Sequence, residues 1–235
     1  IKFDGLLILQ ASSSGPVSTL MVECSSDQAV RGIARYADDL QGETLDELMP
    51  DGVLAITIDP TNGQRYQGIV SLEGGSLAAA LDSYFANSEQ LPTRFRLLAD
   101  GRAARGFLLQ ALPADRQPDA QEREETWQRL NILADTLSAE ELISLDNQTL
   151  LHRLYHEEDV RLFDARPARF ECSCSAERSG NALVSLGRED VLQLLQEQGG
   201  EITVDCQFCN SRYQYDEAAV HALFDAAAEH ARSLH

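Results

Sequence analysis

Residues 171–175 read Glu171-Cys172-Ser173-Cys174-Ser175, and residues 205–210 read Asp205-Cys206-Gln207-Phe208-Cys209-Asn210. Two cysteine pairs with 31 residues between them are a donor set for one tetrahedral metal ion. Zinc accepts four thiolates at about 2.3 Å, and a Cys-x-x-Cys between two strands is the usual knuckle that presents two of them. The surroundings agree: 201–205 and 212–215 read as strands on either side of the knuckle, and 186–197 reads as a helix before them. A terminal helix follows, capped by Asp216, with Val220, Leu223, Phe224 and Ala227 on one face. The segment 168–235 is thus a small domain that has too little core to be comfortable alone and calls for a metal or disulfides.

The Cys-x-Cys half carries further information. With one intervening residue its sulfurs can close a small-ring disulfide, strained enough to stay reducible. Oxidation of both pairs would turn four charged ligands into two neutral bridges, release the ion, and remove folding free energy of order 10 kcal/mol. A structural zinc clamp that nothing oxidises would use the same four residues, and spacing alone leaves both readings open.

Before this domain, 114–167 is polar, acidic and helix-prone, opening with Pro113-Ala114-Asp115-Arg116-Gln117-Pro118. It holds 13 acidic and 6 basic side chains, so its helices, with Trp127, Leu130, Ala134 and Leu137 at helical spacing, have only a narrow apolar stripe. Ser138 and Glu141 form a capping box for a second short helix. Such helices draw their stability from a neighbouring surface and unfold easily, which makes this segment a metastable linker. An ordinary helical connector with a solvated acidic face is the plainer reading of the same pattern.

Residues 1–113 carry strand-like runs at 5–10, 17–24, 30–36, 53–59, 65–73, 93–99 and 104–112, punctuated by Gly, Pro, Asn and Ser. Asp59-Pro60-Thr61-Asn62-Gly63 fits a hairpin turn. One helix interrupts them, capped by Ser76, with Leu77, Leu81, Tyr84 and Phe85 on one face. The fold class is α+β: a core domain on a mostly antiparallel sheet, a helical linker, and a small C-terminal zinc-binding domain.

Composition narrows function. With 38 acidic against 19 basic residues, a net charge of −19 speaks against a phosphate-binding surface, because nucleic-acid affinity comes largely from clustered cations. Within 168–228 there are 4 Arg and 10 acidic residues, so the zinc domain has no basic patch either. The only lysine is Lys2, which excludes a Walker A loop and P-loop ATP hydrolysis. No apolar run approaches the ~18 residues of a membrane span and none is flanked like a signal peptide, so the chain reads as soluble, with no membrane partner.

The combination resembles the redox-switch domain of the heat shock protein 33 family of bacterial chaperones, and the likeness extends beyond the cysteines. Arg65-Tyr66-Gln67-Gly68-Ile69-Val70, Leu72-Glu73-Gly74, Tyr84-Phe85, Ser88-Glu89-Gln90-Leu91-Pro92-Thr93-Arg94 and Leu154-Tyr155-His156-Glu157-Glu158 are all similar to that family. The resemblance implies a substrate-binding domain (1–113), a metastable helical linker (114–167) and a zinc redox switch (168–235). It implies a cytoplasmic, ATP-independent holdase, inactive while Cys172, Cys174, Cys206 and Cys209 hold one zinc ion. Oxidation would pair Cys172 with Cys174 and Cys206 with Cys209, release the metal, unfold the linker and expose apolar surface to unfolding client proteins, commonly as a homodimer.

Two features depart from the family pattern. The family name implies about 33 kDa against 25.9 kDa here, so about 60 residues of an N-terminal segment are expected to be missing, and the chain starts at Ile1 rather than Met. Cys24 has no place in the motif and is expected as a small buried core residue. His152 and His156 are four apart on a helix but lack the His-Glu-x-x-His arrangement, and no Gly-x-Ser-x-Gly elbow is present, so nothing points to an enzyme. The competing functions are a constitutive zinc-ribbon interaction module and a thiol oxidoreductase using Cys206 and Cys209. The latter chemistry favours a Cys-x-x-Cys at a helix N-terminus, where here strands are expected.

Overall fold

The computed structural model describes residues 4–113 and 119–233, with side chains up to 228. The expected start of the linker at 114–118, and Lys2, lie outside the described residues. The chain divides into two compact units, 1–169 and 170–235.

In the first unit, β1 (Gly5–Ser12), β2 (Val17–Ser25) and β3 (Ala29–Tyr36) form an antiparallel meander. A short helix α1 (Leu45–Leu48) follows, closed by a capping box between Thr44 and Glu47. Next, β4 (Val53–Pro60) returns to pair with the free side of β1, and β5 (Tyr66–Ser71) pairs with β4 across the expected turn. The strand order is therefore β5-β4-β1-β2-β3, with every pairing antiparallel, as alternation and turn chemistry foretold.

Helix α2 (Leu77–Tyr84) starts where Ser76 accepts from the Ala79 N–H at 3.1 Å. It continues into one π-helical turn, Phe85–Glu89, that ends at Gln90 in the left-handed region. Its Leu81 and Tyr84 join Ala11, Met49, Leu54, Ile56 and Leu72 in the sheet's core. Gly68 has no side chain for a packing reason, since a Cβ there would stand 2.5 Å from the Tyr84 ring. Cys24 lies on β2 as expected but not in the core: it is half buried between Leu7 and Val30 of the neighbouring strands, and its thiol donates to the Ser25 carbonyl at 3.5 Å.

The hairpin of β6 (Thr93–Ala99) and β7 (Ala104–Gln110) forms a separate sheet. Three helices pack with it: α3 (Ala120–Asp135), α4 (Ala139–Ser144) and α5 (Asn147–Tyr155). Their cluster buries Leu137, Leu142, Leu150, Leu154 and Tyr155 against Leu98 and Phe107 of the hairpin. The narrow stripe is evident in α3, where Ala134 is the one buried residue of sixteen. Ser138 and Glu141 make the expected reciprocal cap. The unit ends at Arg169, the first residue of the two-residue strand β8 (Arg169–Phe170), and the Arg169 N–H donates to the Gln28 carbonyl at 3.1 Å.

The second unit holds α6 (Ala176–Leu186), α7 (Arg188–Glu197), the antiparallel pair β9 (Glu201–Asp205) and β10 (Arg212–Asp216), and α8 (Glu217–Ser233). The helix expected over 186–197 is α7; α6, which no sequence signal marked, precedes it and ends at Gly187 with φ 98°. Asp216 caps α8 by accepting from the Ala219 N–H at 2.8 Å. The core is small: among the described residues, Leu183, Val191, Leu195, Ile202, Tyr215 and Val220 are its buried members. Among the described residues no helix is long and apolar enough to cross a membrane.

Candidate metal centre

The knuckle is built by the β9–β10 hairpin. Arg212 and Asp205 face each other across the register, and the guanidinium holds the carboxylate with two bonds of 2.7 and 2.9 Å, pinning the base of the turn. Above that pair the Cys206 N–H donates to the Ser211 carbonyl at 2.9 Å and the Asn210 N–H to the Cys206 carbonyl at 2.8 Å. Asn210 takes a left-handed φ of 57°, a conformation that asparagine tolerates better than most residues. The turn thus curls Cys206 and Cys209 toward one point.

The other pair is set by the start of α6. Ser175 caps that helix by accepting from the Arg178 N–H at 3.1 Å, and Arg178 returns its guanidinium to the Ser173 carbonyl at 2.8 Å and hydroxyl at 2.6 Å. The residue between the two cysteines is thereby fixed from both sides. Tyr215 donates to the Ala176 carbonyl at 2.8 Å, tying β10 to the first turn of α6.

These elements bring all four expected cysteines together, with the four Sγ atoms within 4.8 Å of one another. The Cys172 and Cys206 sulfurs are 3.6 Å apart, and those of Cys174 and Cys209 are 3.4 Å apart. Sulfurs at about 2.3 Å from a central ion stand about 3.8 Å from each other, so the cluster has the size of a tetrahedral tetrathiolate. It is positioned to hold a metal ion. Among the described residues no other group of histidine, cysteine or carboxylate side chains has this property; His152 and His156 neighbour each other at 5.7 Å on α5 and its cap.

The environment favours charged sulfur at the knuckle. The Ser211 hydroxyl, then its N–H and the Cys174 thiol, bring Cys209 down to about 6. Burial works against Cys206, but the N–H groups of Cys209 and Phe208 and the Cys172 thiol outweigh it, and the net displacement is downward. Cys172 goes the other way, pushed up to about 11 by burial against the donation of the Cys174 N–H. A divalent cation among the four would favour thiolate at every one of them. Tyr213 donates to the Cys174 sulfur at 3.0 Å, and that bond is the largest reason its phenol rises to about 12.

Sequence reasoning found the four sulfurs but not the groups that orient them: Arg178, Ser211, Tyr213 and Tyr215. The period of two along β10 does place Tyr213 and Tyr215 on one face, four and six residues after Cys209, and that was the available signal. The Cys-x-x-Cys sits in a turn between strands and not at a helix N-terminus, as expected from the flanking pattern.

Comparison with known proteins bears on the chain as a whole. The family model described as Hsp33 protein matches residues 1–216. The 33 kDa chaperonin of Pseudomonas paraeruginosa is 64% identical over 229 residues, 97% of this chain and 77% of that protein. The 33 kDa chaperonin of Azotobacter vinelandii is 63% identical over 226 residues, 95% of this chain and 76% of that one. The crystal structure of the 33 kDa chaperonin of Thermotoga maritima, at 22% identity, shares the fold with a TM-score of 0.79, covering 97% of this chain and 80% of that one. An α+β chain with a four-cysteine cluster, a family model spanning nearly all of it and relatives identical at more than half of its positions is a member of the Hsp33 chaperone family.

Proposed function

We propose that the protein is a redox-regulated, ATP-independent holdase of the bacterial cytoplasm, held inactive by zinc on Cys172, Cys174, Cys206 and Cys209. The observation that carries this reading is the packing of four sulfurs within 4.8 Å in a unit that has, among the described residues, six buried core residues. Zinc bound there supplies a crosslink between the start of α6 and the β9–β10 turn, which this core is too small to replace.

Oxidation acts on the chain's own sulfurs. A peroxide takes two electrons from each pair, so that a Cys172–Cys174 bond and a Cys206–Cys209 bond form while each peroxide is reduced to two hydroxides. Neutral disulfide sulfur is a poor metal ligand, so the crosslink goes and the second unit loosens. The helices α3 to α5 are the segment through which that loosening becomes activity. They partly cover Leu98 and Phe107 of the hairpin, while Leu97, Leu108 and Ile132 already stand about half exposed or more. Opening these helices joins the two sets into an apolar surface of the kind that captures unfolding chains. The net charge of −19 keeps the loaded complex soluble, and a homodimer is the expected active assembly.

Zinc content and intact mass, measured before and after peroxide treatment, test this reading. The expected result is one zinc per reduced chain, lost together with the mass of four hydrogen atoms, with disulfides mapped to 172–174 and 206–209. Zinc retained through oxidation would identify a constitutive structural clamp instead.

A further inference from the structure

We propose that the Tyr213 and Ser211 hydroxyls restrain the Cys174–Cys209 edge of the cluster, acting as positioning groups that slow the reaction of these two sulfurs with electrophiles. The inference rests on the reading of the four cysteines as thiolates of a metal centre and adds to it two residues that set its reactivity. Tyr213 Oη lies 3.0 Å from Cys174 Sγ, and Ser211 Oγ lies 3.1 Å from Cys209 Sγ. With both sulfurs ionised, each hydroxyl is the donor. The two sulfurs so restrained are 3.4 Å apart, so the hydroxyls flank one edge of the tetrahedron.

The placement of Tyr213 is built into the fold. Its ring packs on the core of the second unit, β10 is paired to β9 opposite Val204, and the Tyr215 bond to Ala176 holds the strand against the helix that starts two residues after Cys174. A tyrosine fixed in this way by two side-chain torsions delivers its hydroxyl at little entropic cost. A hydrogen bond to a thiolate draws charge from the lone pair that must attack an electrophile, and outer-shell donors of this kind tune metal-bound ligands. In the reaction with peroxide, the sulfur lone pair forms an S–O bond as the O–O bond breaks and hydroxide leaves. The neighbouring thiolate of the pair then displaces the second hydroxide to close the disulfide. The first of these steps is the one that the hydroxyls slow.

Tyr213→Phe and Ser211→Ala remove the donors while leaving the ring and the Ser211 N–H in place. The test is site-resolved alkylation of the zinc-loaded protein with iodoacetamide, followed by mass spectrometry of each cysteine-containing peptide. Losing one such bond should speed alkylation of the matched cysteine about three- to tenfold, Cys174 in Tyr213→Phe and Cys209 in Ser211→Ala, with Cys206 in Tyr213→Phe changing less than about twofold. In cobalt-substituted samples the sulfur-to-metal charge-transfer band should move to longer wavelength in both variants. An unchanged rate at the matched cysteine in either variant overturns the proposal. So does a uniform acceleration at all four in Tyr213→Phe, which would mark a packing role. Ser211 is exposed, so its variant retains the fold and keeps the test decisive. Zinc content measured on the same wild-type sample separates the two readings: a sample without metal overturns the metal-centre reading, whereas a zinc-loaded sample with unchanged matched rates overturns the role of the hydroxyls alone.

Discussion

The Arg96 guanidinium on β6 lies 2.5 Å from the Asp135 carboxylate at the end of α3. Arg94 reaches the same oxygen at 3.4 Å, so one carboxylate holds two cations of the hairpin to a helix that buries a single residue. All three side chains are about a third to a half exposed, which limits each pair to about 1 kcal/mol or less and makes the tie sensitive to salt. Asp135→Asn leaves the two arginines facing each other without their shared counter-ion. Protease cleavage within 119–155 of the reduced protein should then rise about two- to fivefold, and high salt should do the same to the wild type. Cleavage unchanged in both would show that the linker helices are held by their apolar contacts alone.

Leu154 is 2% exposed at the centre of the cluster that joins α5 to the hairpin. Truncation to Ala should cost about 2–5 kcal/mol, enough to open a segment with so little core. The reduced Leu154→Ala protein should keep its zinc and yet suppress client aggregation. A variant that loses zinc along with linker order, or one that stays inactive with a melted linker, would contradict the division of roles between the two units.

Trp127, the only tryptophan, is half buried on α3. Opening of the linker on oxidation should therefore shift its emission to the red. Unchanged emission in a zinc-free, doubly disulfide-bonded sample would mean that metal loss is not transmitted to α3.

Gly180 on α6 has its α-carbon face against Leu223 of α8, and an added Cβ would lie 2.6 Å from a Leu223 methyl carbon. Gly180→Val should destabilise the second unit by about 1–3 kcal/mol through overpacking, seen as a lower temperature for zinc loss with the melting of the first unit unchanged. An unaltered zinc-loss temperature would show that α6 and α8 can separate without consequence for the centre.

The strands and the four sulfurs were legible because both signals are local: alternation and turn residues mark the seven N-terminal strands, and paired cysteines mark their own site. Helix α6 was not, because Ser179, Gly180, Asn181 and Ser185 are weak helix formers; Gly180 is there to let α8 approach, and Arg178 and the Ser175 cap reinforce the start of the helix. The half-buried state of Cys24 was equally hidden, since a strand residue's burial depends on what covers its face. Nor could the sequence show that the segment read as a linker shares a core with the 93–110 hairpin. That contact joins Leu98 and Phe107 to Leu137, Leu142 and Leu154, residues far apart in the chain.

The most direct test of the central claim is light scattering from a thermally unfolding client, without nucleotide, in the presence of the reduced zinc-loaded protein or the peroxide-oxidised protein. The oxidised form should suppress aggregation at near-stoichiometric ratios, and the reduced form should leave it unaffected until it is oxidised. Equal suppression by both forms would contradict a redox switch at Cys172, Cys174, Cys206 and Cys209.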